Sequence, residues 1–149
     1  MANGNVHNLV ALIVEDEALI ALEIEDLLAA DGFTCLHAAD RADLEAMFLD
    51  DIAIAIVDLR LRGNLEGPDI IRLLRRRISN LPVVVVTGHD MRTPDADLRG
   101  LGGPTIRLHK PVPPEDLRNA ARVVTRRRYS RAVARYGRRQ DDGPEAVVC

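Results

Sequence analysis

The chain has 149 residues, enough for one domain with a hydrophobic core and too few for two domains of ordinary size. Its 47% hydrophobic and 29% charged residues are typical of a globular protein, and its longest apolar runs, six residues each, fall far below the roughly 20 of a membrane-spanning helix. A net charge of −3 conceals an asymmetry, because residues 1–70 hold 15 acidic and 3 basic side chains, whereas residues 71–149 hold 8 and 17.

The first half of the chain predicts two strand-helix pairs. Residues 9–14 are apolar without alternation, which is typical of a strand buried on both faces of a sheet. A weaker strand over residues 33–38 precedes a helix over 40–48 that Asp40 is placed to cap. Between the two strands, residues 18–30 predict a helix with a broad apolar face formed by Leu19, Ile20, Leu22, Ile24, Leu27 and Leu28.

The second half continues the alternation. A third apolar strand over residues 52–57 is followed by a loop and by a helix that begins at Pro68 and ends near residue 77. Strands are predicted over 82–86 and 105–108. Between them, a helix over 90–101 is expected to be short or mobile, because Pro94, Gly100, Gly102 and Gly103 interrupt it.

The last predicted helix begins at Pro114 and extends to residue 136, with Leu117, Ala120, Ala121 and Val124 facing the sheet. Strands that alternate with helices predict an α/β fold, in which a parallel sheet carries helices on both faces. In such folds, ligands bind at the carboxyl ends of the strands.

Polar side chains follow four of the five predicted strands at this edge. They are Glu15 and Asp16, Asp58, Thr87, and Lys110, the one lysine among 20 basic residues. Three carboxylates that converge repel one another unless a cation joins them, and oxygen ligands of this kind suit Mg²⁺. We therefore predict Mg²⁺ as the cofactor.

Asp58 is the best candidate nucleophile, since a carboxylate can accept a phosphoryl group to give an acyl phosphate. The three peripheral oxygens of that group would be bound by Mg²⁺, the Thr87 hydroxyl and the Lys110 ammonium. Each residue alone has an ordinary explanation as a turn residue or as helix N-terminal charge. Their joint placement on four strands favours the phosphoacceptor.

Residues 13–17, 56–61, 86–88 and 109–112 resemble the four signatures of the receiver domain of two-component response regulators. The resemblance covers about residues 9–126. It implies a flavodoxin-like, doubly wound, five-stranded sheet in the order 2-1-3-4-5. It also implies phosphorylation of Asp58 by a histidine kinase or a histidine phosphotransfer protein.

The same resemblance assigns roles to single residues. Mg²⁺ would be bound by Asp16 directly, by Glu15 through water and by Arg60 through its backbone carbonyl, besides Asp58. Thr87 and Lys110 would hold the phosphoryl group, and the Lys110–Pro111 peptide would be cis.

The chain also departs from the family pattern. Arg107 replaces the aromatic residue that usually takes part in the switch. Gly88-His89 follows Thr87, and this stretch is similar to that of a group of stand-alone proteobacterial receivers. We therefore hypothesise that residues 89–103, as a mobile segment, transmit the phosphorylation signal. For His89, a solvent-facing loop histidine is favoured over a general base.

The domain organisation predicted is a receiver domain over residues 9–126 and an arginine-rich extension over 127–149, helical and then disordered. The extension suggests a dimer or partner helix, a clamp on the acidic half, or nucleic-acid attachment, the last least favoured because no helix-turn-helix fits. The expected partners are the kinase or phosphotransfer protein and a downstream protein, a second copy is a further candidate, and no membrane contact is expected.

We expect a cytoplasmic switch with reduced Cys35 and Cys149, since the first eight residues lack a signal peptide and the cysteines lack metal-site spacing. It is not expected to be an enzyme. Two other functions stay open, a DNA-associating regulator acting through the basic helix and a Mg²⁺-dependent phosphohydrolase. Arg60 argues against the hydrolase, because a second acid would help at that position.

Overall fold

Five parallel strands form one sheet in the order β2-β1-β3-β4-β5. The structure is a computed structural model that describes residues 9–88, 98 and 100–139, with side chains as far as residue 126. The predicted doubly wound α/β fold and its strand order are confirmed. The strands are β1 (Leu9–Val14), β2 (Phe33–Ala38), β3 (Ile52–Asp58), β4 (Val83–Thr87) and β5 (Thr105–His109).

The helices of the described residues are α1 (Ala18–Ala30), α2 (Arg41–Glu45), α3 (Gly67–Arg77) and α4 (Pro114–Arg139). Core contacts place α1 and α4 on one face of the sheet and α2 and α3 on the other. The helix predicted over residues 90–101 lies largely outside the described residues, and so does His89.

Among these described helices, none has the length and apolarity that crossing a membrane requires.

The sheet is covered on both faces, which explains why its central strands are apolar without alternation. On β1, Ala11 and Ile13 pack against the core shared with α1 and α4, whereas Leu12 and Val14 pack against the core shared with α2 and α3. All four side chains are fully buried. Because both faces need apolar residues, the polar groups of β1 come only after its last residue.

Two predicted details are wrong. The buried stripe of α1 consists of Ala21, Ile24 and Leu28, and Leu19 and Leu22 point outward with 77% and 53% exposure. At 100° per residue, Leu19 and Leu22 lie on the side of the helix opposite this stripe. The sequence is apolar around most of α1, so its pattern did not reveal which side would face the sheet.

The second helix ends at Glu45 instead of residue 48, although Asp40 caps it as predicted by accepting a 2.9 Å hydrogen bond from the Asp43 N–H. Leu44 and Leu49 are both buried in the same core. A continuous helix would direct these two side chains about 140° apart, so the chain leaves the helix to bury both.

The last helix buries Leu117, Ala120, Ala121 and Val124, as predicted. Arg118 attaches α4 to the end of α1 through two bonds to the Asp31 carboxylate, 2.6 Å from Nη2 and 3.1 Å from Nε. Such a two-point arginine-carboxylate pair fixes direction as well as distance. It therefore holds α4 in register along α1. The division of the chain at residue 126 stays a prediction.

A second arginine secures the opposite side of the sheet. From α3, Arg75 donates to the carbonyl oxygens of Leu81 at 3.1 Å, Leu101 at 3.2 Å and Pro104 at 2.8 Å. These carbonyls belong to the segments that lead into β4 and β5. One guanidinium thereby binds three backbone carbonyls, of which that of Pro104 also accepts from the Val83 N–H at 3.0 Å.

The first turn of α3 packs directly on the end of β3. The Gly67 N–H donates to the Leu59 carbonyl at 3.0 Å. A Cβ added to Gly67 would lie 2.5 Å from the Leu59 Cα and 3.0 Å from the Asp58 carbonyl oxygen, so this approach requires glycine.

We predict that Gly67→Ala lowers the free energy of unfolding by about 1 to 3 kcal/mol, because the added methyl group displaces backbone that cannot move away. Gly88→Ala is the matched control, since a Cβ there meets nothing within 4 Å. Urea unfolding of both variants checks the prediction. Equal stability of the two variants would contradict it.

Candidate functional site

Four strands bring polar side chains to the carboxyl edge of the sheet. Glu15 and Asp16 follow β1, Asp58 ends β3, Thr87 ends β4, and Lys110 follows β5. Strand pairing sets Asp58 beside β4 and Thr87 beside the end of β5. Glu15, Asp58 and Thr87 are buried, with 5%, 7% and 1% of their surface exposed. Asp16 and Lys110 are half-buried, so the edge combines three buried polar residues with two that water can reach.

Lys110 joins two of the acids. Its Nζ lies 2.9 Å from Asp58 Oδ2 and 3.1 Å from Glu15 Oε2. Its backbone N–H donates to the Thr87 carbonyl at 2.9 Å, and the Lys110–Pro111 peptide is cis, as the family resemblance implied. Lys110 thus contacts residues that follow or end β1, β3 and β4.

The three acids form a compact set of oxygen donors. Glu15, Asp16 and Asp58 each place one carboxylate oxygen within 4.8 Å of the others. Three carboxylates next to one ammonium leave an excess of negative charge, and hard oxygen donors are those that Mg²⁺ takes. The residues present therefore fit a divalent cation of this type.

Backbone N–H groups orient all three carboxylates. Asp58 Oδ1 accepts from the Arg60 N–H at 3.0 Å, and Glu15 Oε1 accepts from the Glu17 N–H at 3.1 Å. Asp16 Oδ2 accepts from the Arg62 N–H at 2.9 Å. The contact of the Arg62 N–H was not predicted, and its signal in the sequence is the turn-forming pair Gly63-Asn64. The predicted role of the Arg60 carbonyl stays a prediction.

The pKa values reflect these contacts. Burial is the largest influence on Glu15 and raises its pKa, the Asp58 charge adds to this, and hydrogen bonds from the Glu17 N–H and Lys110 offset it only in part. Burial alone would raise the pKa of Asp16, but hydrogen bonds, chiefly from the Arg62 N–H, hold it below its ordinary value. Burial would lower the pKa of Lys110, but Asp58 and Glu15 raise it.

The other predicted residues take separate places. Thr87 is buried at the end of β4, and its contact with a phosphoryl group stays a prediction. Arg107 is paired with Val85 of β4. Because its neighbours Ile106 and Leu108 pack toward α1 and α4, Arg107 is directed to the opposite face of the sheet.

Comparison with known proteins identifies relatives of this chain. The response regulator receiver domain family matches residues 11–122. The sensory transduction protein RegX3 of Mycolicibacterium smegmatis is 34% identical over 117 residues, 78% of this chain and 50% of that protein. The alginate biosynthesis transcriptional regulatory protein AlgB of Pseudomonas aeruginosa is 30% identical over 140 residues, 91% of this chain and 31% of that protein. The chain thus spans half or less of these relatives.

Solved structures agree with the sequence match. A response regulator receiver domain protein of Clostridium thermocellum superimposes with a TM-score of 0.70 at 27% identity, covering 81% of this chain and 97% of that one. A CheY-like receiver domain protein of Methanospirillum hungatei has a TM-score of 0.72 at 20% identity, covering 83% and 98%. The latter supports the fold alone.

Glu15→Gln tests the charge balance of the site. A raised pKa means that folding disfavours ionised Glu15, so the contribution of Glu15 to stability is lost as pH rises above the ordinary Glu pKa of about 4.3. In Mg²⁺-free buffer, we expect Glu15→Gln to gain stability relative to wild type as the pH is raised from about 4 to 7, because the variant has no charge to bury. Urea unfolding at each pH measures it, and added Mg²⁺ should reduce the shift. If wild type instead gains stability relative to the variant over this pH range, the raised pKa of Glu15 is contradicted.

Proposed function

The chain belongs to the response regulator receiver domain family, and we propose that it accepts a phosphoryl group on Asp58 from a phosphohistidine of a kinase or phosphotransfer protein. The observation that carries this proposal is the position of Asp58. Its side chain is hydrogen bonded to Lys110 and lies in a carboxylate cluster that fits a divalent cation.

In the proposed reaction, a carboxylate oxygen of Asp58 attacks the phosphorus atom. The bond from phosphorus to the histidine nitrogen breaks, the nitrogen leaves with its electron pair, and an acyl phosphate forms. The Lys110 ammonium donates to Asp58 Oδ2 at 2.9 Å. From this position it would also donate to an oxygen of the arriving phosphoryl group. Thr87 would supply a second donor from the end of β4.

Mg²⁺ would be held by the carboxylates of Asp16 and Asp58, by the backbone carbonyl of Arg60 and, through water, by Glu15. When bound, the ion offsets the negative charge of the carboxylates and the phosphoryl group. The raised pKa of Lys110 keeps its ammonium charged beside them.

We propose a switch with at most self-catalysed phosphorylation and dephosphorylation, not a turnover enzyme. A phosphohydrolase would benefit from a second carboxylic acid two residues after its nucleophile, where this chain has Arg60. The signal would pass to a protein partner or along a phosphorelay in the cytoplasm.

Association with DNA is the weaker alternative. It is favoured by α4, which continues to Arg139 through an arginine-rich sequence, and by the relative named a transcriptional regulatory protein. Binding of the full chain to duplex DNA that weakens steeply with salt would support this alternative. A protein partner that binds the chain at physiological salt only when Asp58 is phosphorylated would favour the switch.

Incubation with a small phosphodonor and Mg²⁺ is expected to add one phosphoryl group to the wild-type chain, as read by intact mass. Asp58→Asn should abolish the gain, since an amide cannot form the acyl phosphate. Asp51→Asn is the control, because Asp51 is an exposed acid next to the other end of β3. Phosphorylation that persists in the Asp58 variant, or rapid multiple turnover without a stable product, would exclude the proposal.

Lys110→Arg should slow phosphorylation at least about tenfold although it keeps the charge. A planar guanidinium does not fit where a compact ammonium contacts two carboxylates. The loss of one hydrogen-bond donor at such a site commonly lowers the rate by roughly 10²- to 10³-fold. The time course of the mass gain measures the rate. A variant rate within about twofold of wild type would show that only charge is needed.

A further inference from the structure

The loop after β3 contains a tight two-residue turn. Leu61 and Asn64 exchange backbone hydrogen bonds, each 2.9 Å from nitrogen to oxygen. The two residues between them, Arg62 and Gly63, have φ angles of 50° and 79°. A turn with two left-handed residues favours glycine or asparagine, so arginine at its first position is uncommon.

Buried neighbours fix the direction of this loop. Leu59 and Leu61 are fully buried in the core beneath α3. Arg60 and Arg62, which alternate with them, donate their backbone N–H groups to Asp58 and Asp16. The turn is thus anchored in the core on one side and bonded to the acidic cluster on the other.

Asp16 is held differently from the other two acids. Lys110 donates to both Glu15 and Asp58, whereas the Arg62 N–H donates to Asp16 Oδ2 at 2.9 Å. This contact joins residues 46 positions apart in the sequence. A backbone hydrogen bond on a carboxylate oxygen orients the side chain.

We propose that the turn formed by residues 61–64 positions Asp16 for Mg²⁺, with Arg62 as a positioning residue that acts through its backbone N–H. The inference rests on the proposed function, because it assumes that Asp16 is a Mg²⁺ ligand. The turn orders the Asp16 side chain before the ion arrives, so less ordering is required on binding.

The backbone of Arg62, and not its guanidinium, is the group assigned this role. The Arg62 Nη2 lies 3.3 Å from Asp40 Oδ2, and 66% of the Arg62 side chain is exposed. An exposed ion pair of this kind is weakened by solvent and salt. Loss of the guanidinium should therefore matter less than loss of the turn.

The test is a calorimetric Mg²⁺ titration of the unphosphorylated full chain. Gly63→Val should weaken Mg²⁺ binding roughly tenfold, because a β-branched residue resists the positive φ that the turn requires. Arg62→Gly keeps the N–H and suits the turn, and should bind Mg²⁺ within about twofold of wild type. In NMR spectra, Gly63→Val should also shift the Arg62 amide proton away from its hydrogen-bonded position.

Should Gly63→Val not fold, Gly63→Ala provides a milder strain at the same angle, and its affinity should fall in the same direction. Wild-type affinity in a folded Gly63 variant would overturn the proposal, as would an equal loss in Arg62→Gly. Asp16→Ala distinguishes a failure of the metal site from a failure of the turn's role. If that variant keeps full Mg²⁺ affinity, the metal site of the proposed function fails; if it loses affinity while the Gly63 variants keep it, only the turn's role fails.

Discussion

The contact of the Lys110 ammonium with Asp58 and Glu15 is the interaction on which the site depends. It connects residues that follow or end three different strands, and it partly compensates two buried carboxylates that would otherwise repel each other. The compensation is incomplete, because Asp16 adds a third negative charge within 4.8 Å. A site built in this way has a remaining demand for positive charge. That demand explains why its chemistry is expected to require a divalent cation.

Much of the fold follows from local pattern. Unbroken apolar runs such as β1 and β3 specify buried strands, and their alternation with helices specifies a parallel sheet. The carboxyl-edge rule then predicted that Asp58 and Lys110 would approach each other, although 52 positions separate them. The outward direction of Leu19 and Leu22 was not predictable in this way. It depends on which side of an almost uniformly apolar helix packs on the sheet, and only tertiary contacts decide that.

The loop after β3 could be predicted only in part, for a related reason. Its residues serve the core and the site at once: Leu59 and Leu61 are buried, while the intervening N–H groups bind carboxylates. Gly67 then lets α3 pack directly on the same loop. Sequence patterns report side chains, whereas these contacts are made by the backbone. The position of Asp16 is therefore coupled to core packing through groups that no residue-type pattern reveals.

The most direct test of the central claim is a crystal structure of the chain with Mg²⁺ and beryllium fluoride, which imitates a phosphoryl group on a carboxylate. We expect the beryllium to be bound to an oxygen of Asp58, its fluorides to contact the Lys110 ammonium and the Thr87 hydroxyl, and Mg²⁺ to be bound by Asp16 and Asp58. Beryllium fluoride bound to a different acid, or Mg²⁺ located away from these carboxylates, would contradict the proposed role of Asp58.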